Sequence, residues 1–156
     1  MAVIKAFECI RPDEKVADRV AALPYDVYNS EEAREIVAAE PKSFLQIDRA
    51  ETLLPKGTNP YSEAVYKTAS ETLNRMIDEG SFLQDKEPCY YLYALTMNGR
   101  TQTGLVGCAS IDDYCNNVIL KHENTLEAKE QDRIRHIEHA APRPDRSFSL
   151  TAPTKN

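Results

Sequence analysis

Long apolar runs are missing from this sequence, and with them the roughly 20 consecutive apolar residues that a membrane-spanning helix needs. Lys5 and Glu8 interrupt the N-terminal stretch where a secretory signal would require an unbroken apolar segment, so the expected compartment is the cytoplasm. Paired cysteines are missing too. Cys9, Cys89, Cys108 and Cys115 form no Cys-x-x-Cys unit and, in a reducing compartment, are expected to be small buried apolar residues rather than a zinc site. Positive charge is in deficit. With 25 acids against 19 Lys plus Arg, the chain carries a formal charge of −6, which argues against a nucleic-acid or anionic-membrane surface, since either needs excess cations. There is no glycine-rich Walker loop, no Gly-x-Gly-x-x-Gly and no internal repeat, so neither standard nucleotide fold is indicated.

What is present suffices for independent folding: 156 residues can bury roughly two-thirds of the unfolded surface without a disulfide or metal. Residues 4–10 alternate as a strand, a break follows at Arg11-Pro12-Asp13, and 14–22 reads as a short helix. Leu23-Pro24-Tyr25-Asp26-Val27 is a non-helical link, after which Asn29 caps a helix with Glu32 as reciprocal partner and Pro41 marks its end. Residues 44–47 read as a short strand and 50–58 as a loop. Asn59, with Pro60 behind it, caps a helix whose apolar stripe runs through Tyr61, Val65, Ala69, Leu73, Met76 and Ile77 to Gly80. The β-rich segments 89–97 and 101–111 are joined by Asn98-Gly99, the preferred pair for a type I′ hairpin turn. A further strand is expected over 117–121 and a charged helix over 126–138. The order predicts an α+β domain over residues 1–138, with a mixed sheet and a central β-hairpin flanked by helices. The proline-rich residues 139–156 are expected to be a mostly disordered tail.

Chemistry concentrates in the run from Lys121 to His136. Asn124 or Thr125 would cap the helix, freeing backbone N–H groups and a positive dipole end for an anion, while Lys121 and His122 approach from the preceding strand end. On the helix, Leu126, Ile134 and Ile137 define the apolar side, and Glu130 falls within it beside Arg133, implying a buried pair. Lys129, Asp132 and His136 form the adjoining face. A solvated helix laced with ion pairs accounts for the same spacing. Asp132, His136 and His139 also recur at ligand spacing, but no zinc or iron signature accompanies them. Asp26 sits in a rigid turn, either as an acid or base or bonded to nearby backbone N–H groups. Tyr90, Tyr91 and Tyr93 read as core and sheet-face residues.

Pro24-Tyr25-Asp26-Val27, Ser43-Phe44-Leu45, Gly99-Arg100-Thr101-Gln102-Thr103-Gly104-Leu105, Lys121-His122-Glu123-x-Thr125 and Lys129-Glu130-x-Asp132-Arg133-x-x-His136 stand in this order. Together, over residues 1 to about 138, they resemble the prokaryotic family known as domain of unknown function 1015, of which this chain corresponds to an N-terminal portion. That family is distantly similar to the ParB/sulfiredoxin-like fold and to free L-serine kinases. The resemblance implies a nucleotide- or phosphate-binding domain, using ATP or ADP with Mg²⁺, that phosphorylates free serine or a similar small hydroxyl compound. In that reading Lys121, His122, Thr125, Lys129, Arg133 and His136 surround the phosphates, and Glu123 or Asp26 accepts the hydroxyl proton. The alternatives are a non-catalytic nucleotide-binding or interaction module and an inactive truncated fragment. The family pattern is expected to end near Glu138.

Overall fold

The computed structural model describes residues 1–120 and 126–140. The fold is α+β, as expected. In chain order it runs β1 (Ile4–Lys5), β2 (Ile10–Pro12), α1 (Ala17–Val20), a 3₁₀ turn (Tyr25–Val27), α2 (Ser30–Ala39), α3 (Leu45–Asp48) and a second 3₁₀ turn (Ala50–Leu53). It continues with α4 (Glu63–Asp78), β3 (Phe82–Gln84), β4 (Tyr91–Met97), β5 (Arg100–Val106), β6 (Cys108–Ala109), α5 (Ile111–Cys115) and α6 (Glu127–Ala140). None of the helices among the described residues is long and apolar enough to cross a membrane.

The single mixed sheet expected from the sequence is replaced, among the described residues, by three two-stranded antiparallel ladders: β1 with β6, β2 with β3, and β4 with β5. Residues 4–12 thread through two of them, with an isolated bridge from Phe7 to Cys89 in between. One side chain ties this segment to the hairpin. The Tyr91 hydroxyl accepts from the Cys9 N–H at 2.9 Å and lies 2.8 Å from Asp85 Oδ2, and burial first, with Asp85 adding to it, pushes its pKa to about 12. The β4–β5 hairpin is closed as expected, with positive φ at both Asn98 (52°) and Gly99 (76°). No residue of either strand is buried.

The core is instead helical, packed from Val20, Val37, Phe44, Leu45, Ile47, Leu73 and Met76. Two helices are delimited by local chemistry. Asn29 and Glu32 form the reciprocal capping box of α2. At the end of α4, Gly80 takes φ +74°, its N–H bonds to the Ile77 carbonyl and the Ser81 N–H to Met76, which is the Schellman arrangement. At the other end of α4, Asn59 caps a preceding turn by accepting from the Tyr61 N–H, and the helix proper starts three residues later than an Asn59 cap with Pro60 would give.

Several local expectations are corrected. Residues 44–47 are not a strand: α3 occupies Leu45–Asp48, and because Phe44, Leu45 and Ile47 are all buried the run has no exposed face from which a period could be read. Of the strand expected over 117–121, residues 117–120 form none and 121 lies outside the described residues; the segment expected as one strand over 101–111 divides into β5 and β6, and α5, capped by Ser110, begins at Ile111. Of the four cysteines only Cys9 is buried; the other three lie on the exposed strand and helix segments outside the helical core.

The largest correction concerns α6. Its apolar side chains Leu126, Ile134 and Ile137 are 71%, 41% and 56% exposed, and Glu130 is exposed as well. The helix packs on α4 through its polar side, where His136 is only 6% exposed. The reason lies in the partners that α3 and α4 offer. They present a tyrosine hydroxyl, a carboxylate and an orphan carbonyl, which Asp132, Arg133 and His136 satisfy and which leucine or isoleucine could not. In place of the buried pair assigned to Glu130 and Arg133, a half-exposed Arg133 faces Asp48.

Candidate functional site

The polar side of α6 closes one wall of a cleft. The opposite walls are the 25–27 turn, the residues linking α3 to the second 3₁₀ turn, and the start of α4. The cleft has a cavity of about 310 Å³, a size that admits a small polar metabolite. Sequence positions far apart meet in it.

Arg49 builds the floor. Its Nε–H donates to Glu51 Oε1 at 2.6 Å, one terminal nitrogen donates to the carbonyls of Tyr25 (3.1 Å) and Tyr28 (2.9 Å), and the other to Ser30 Oγ (2.9 Å). A planar fork with five donors can satisfy four acceptors on three segments at once, and this fixes the turn that carries Asp26. Arg34 secures the neighbouring 3₁₀ turn in the same way, donating to the carbonyls of Glu51, Thr52 and Leu54.

On the facing wall, the Tyr66 hydroxyl donates to Asp132 Oδ1 at 2.7 Å, and loss of solvent together with that carboxylate pushes the phenol up to about 12. The Arg133 guanidinium stacks 4.1 Å from the centre of the Tyr25 ring and lies 3.5 Å from Asp48 Oδ1. Burial raises the Asp48 pKa, against the opposing influence of Arg133 and His136. His136 Nε2 is 3.2 Å from the Ile47 carbonyl, which only accepts, so this nitrogen carries the proton. The ring meets Tyr66 edge-on at 6.0 Å.

Beside this cavity lies a second, of about 420 Å³, lined on the α6 side by Lys129, Asp132 and Arg135. The two share Tyr25, Asp26, Tyr61, Tyr66 and Asp132.

The residues assigned from sequence distribute as follows. Asp26 is exposed and lines both cavities; Arg133 and His136 line the first, Lys129 the second. Lys121, His122, Glu123 and Thr125 lie outside the described residues. Sequence reasoning passed over Asp48, Arg49, Glu51, Tyr61, Tyr66 and Arg135. No local pattern marks Asp48 or Arg49, because they fall between the strand expected over 44–47 and the loop expected over 50–58. Tyr66 stood one position after Val65 of the apolar stripe, where a phenol reads as core. Asp132, His136 and His139, considered above as metal ligands, are directed elsewhere: Asp132 to Tyr66, His136 to Ile47 and His139 Nδ1 to the Arg135 carbonyl at 2.8 Å.

Mg²⁺ bound together with nucleotide takes one or two protein carboxylates and completes its octahedron with phosphate oxygens and water. Asp26 and Asp132, hard oxygen donors on the wall shared by the two cavities, match that chemistry, although no group of three ligating side chains is assembled among the described residues.

No curated protein and no solved structure matches the chain. A family match does, over residues 4–149, so the family pattern continues past Glu138 into the segment read from sequence as an atypical tail. On that match, which covers nearly the whole sequence, the chain belongs to the family described as protein of unknown function (DUF1015).

Proposed function

We propose that this chain is a nucleotide- or phosphate-binding domain that phosphorylates the hydroxyl of free serine or a similar small compound, and that its fold is a distant relative of the ParB/sulfiredoxin-like kinases. The observation that carries the reading is the meeting of Asp26, from the 25–27 turn, with Arg133, from α6, on one cleft of metabolite size. A carboxylate and a guanidinium facing a common space are the two groups that transfer of a phosphoryl to a hydroxyl asks of a protein. One takes the proton, the other offsets charge on the transferred group.

Asp26 is the described candidate for the base, and Glu123 the other. Arg133 is half-exposed and its contact with Asp48 is long, so a phosphoryl group entering the cleft exchanges a weak pair for a stronger one. The cavity holds more carboxylates (Asp26, Asp48, Glu51, Asp132) than guanidiniums (Arg49, Arg133), which disfavours a bare polyphosphate. Mg²⁺, held by Asp132, would supply the missing positive charge when bound with ATP or ADP. A cytoplasmic location, where nucleotide is abundant, accords with this reading.

Calorimetry with ATP or ADP plus Mg²⁺ is expected to give saturable binding, and the full chain supplied with serine is expected to yield O-phosphoserine. Asp26→Asn should remove at least a hundredfold of the turnover while leaving nucleotide affinity nearly intact, and Arg133→Ala should lower kcat far more than affinity. Binding without product would identify a non-catalytic module, and absence of binding in a folded sample would dismiss the reading.

A further inference from the structure

Resting on the function proposed above, we infer that the two cavities are the halves of one two-substrate site, in which Lys129 and Arg135 hold the non-transferred phosphates of the donor in the outer cavity and the hydroxyl acceptor occupies the inner one. Three observations lead there.

The cavities adjoin, with five lining residues in common. Their cations differ in availability. In the inner cavity Arg49 spends its donors on Glu51, two carbonyls and Ser30, and Arg133 is placed against Tyr25 and Asp48. In the outer cavity Lys129 and Arg135 are exposed, and neither is held in an ion pair among the described residues. Among the described residues, a polyphosphate tail thus meets cations outside any ion pair on the outer side and engaged ones within. The sizes agree as well, since the outer space of about 420 Å³ exceeds the inner one of about 310 Å³ and a nucleotide is larger than an amino acid.

The division places the reaction at the shared wall. The acceptor hydroxyl oxygen, approaching from the inner side, forms a bond to the terminal phosphorus. The bond from that phosphorus to the bridging oxygen breaks, its electron pair leaving with the nucleoside diphosphate in the outer cavity. The hydroxyl proton passes to Asp26, which lines both spaces. Asp132, which also lines both, is held by the Tyr66 hydroxyl. Arg133 reaches the transferred phosphoryl from the inner side, which separates its role from that of Lys129 and Arg135.

The test measures ATP binding with Mg²⁺ by calorimetry on the full chain, with inorganic tripolyphosphate and Mg²⁺ as a competing probe without the nucleoside. Because Lys129 and Arg135 are exposed, the Lys129→Glu, Arg135→Glu double variant should keep its melting temperature. It is expected to weaken both ligands by roughly tenfold or more, whereas Arg133→Ala changes ATP affinity less than about threefold. Saturable wild-type binding that is unchanged in the double variant would put the donor elsewhere and overturn the division while leaving the proposed function standing. Equal losses in the double variant and in Arg133→Ala would also overturn it. No ATP binding by folded wild type would overturn both.

Discussion

Arg49 connects more of the site than any other side chain, because its guanidinium bonds the second 3₁₀ turn, the Tyr25–Val27 turn and the start of α2 together from a half-buried position. Truncating it would leave Glu51, which is buried, as an unpaired charge with two carbonyls unsatisfied. Arg49→Ala is therefore expected to cost about 3 kcal/mol in chemical denaturation. Arg49→Lys should recover less than half of that, since an ammonium cannot reach acceptors in three directions. Asp48 gives a test through pH. Its pKa is raised by burial, so the folded state binds the proton more tightly than the unfolded chain does. The stability it contributes is then fully present below its ordinary value of about 3.9 and is lost as pH rises through the raised value. This is the reverse of a carboxylate stabilised by a salt bridge. The stability of Asp48→Asn relative to wild type should accordingly increase as pH rises from about 4 toward neutrality, and a flat difference would mean that Arg133 and His136 offset the burial completely.

At the scale of elements, the hairpin and α6 show how far local chemistry reaches. Asn98 and Gly99 specify the β4–β5 turn without help from the core, because both occupy positive φ in a short loop geometry that matches strand twist. Gly99→Val should disfavour that turn by about 1–2 kcal/mol. With no residue of either strand buried, the loss is expected as faster amide exchange confined to residues 91–106, with the global melting temperature nearly unchanged. A large drop in melting temperature would show that the hairpin is part of the cooperative core. In α6 the helix itself was legible from sequence, but its orientation was not. The apolar stripe of Leu126, Ile134 and Ile137 pointed to one face, and hydrogen bonds to Tyr66 and Ile47 with an ion pair to Asp48 turned the other inward. A hydrophobic stripe predicts a buried face only when the surface opposite is apolar as well.

For the whole molecule, the helical core and the exposed strands carry unequal shares of the stability. Most buried apolar residues gather on α1 to α4 and their links, joined by Ile10 of β2 and Phe82 of β3, whereas the β4–β5 cross-strand partners Leu92 and Leu105 are 78% and 66% exposed. Exposed apolar surface of this kind binds hydrophobic dyes and promotes association. The native chain is expected to enhance anilinonaphthalene sulfonate fluorescence, and the Leu92→Ser, Leu105→Ser double variant to reduce that signal with little change in melting temperature. An unaltered signal would locate the dye at another surface. The same division explains what could be read in advance. Sequence by itself determined the features governed by neighbours along the chain: the Asn29–Glu32 capping box, the Gly80 terminus of α4, the Asn98-Gly99 turn, the α+β class and the family. The cap, the helix end and the turn rest on backbone conformation or on contacts a few residues apart, and the class and the family on the order of such local motifs, so the determining residues are legible in the text. Tertiary structure alone decided that 44–47 is helical, that the strands form separate ladders, that α6 packs by its polar face, and that Asp26, Asp48, Tyr66 and Arg133 line one cleft. Those outcomes depend on which hydrogen-bond partners distant segments bring to a residue, and partners supplied from elsewhere in the chain leave no mark on the local pattern.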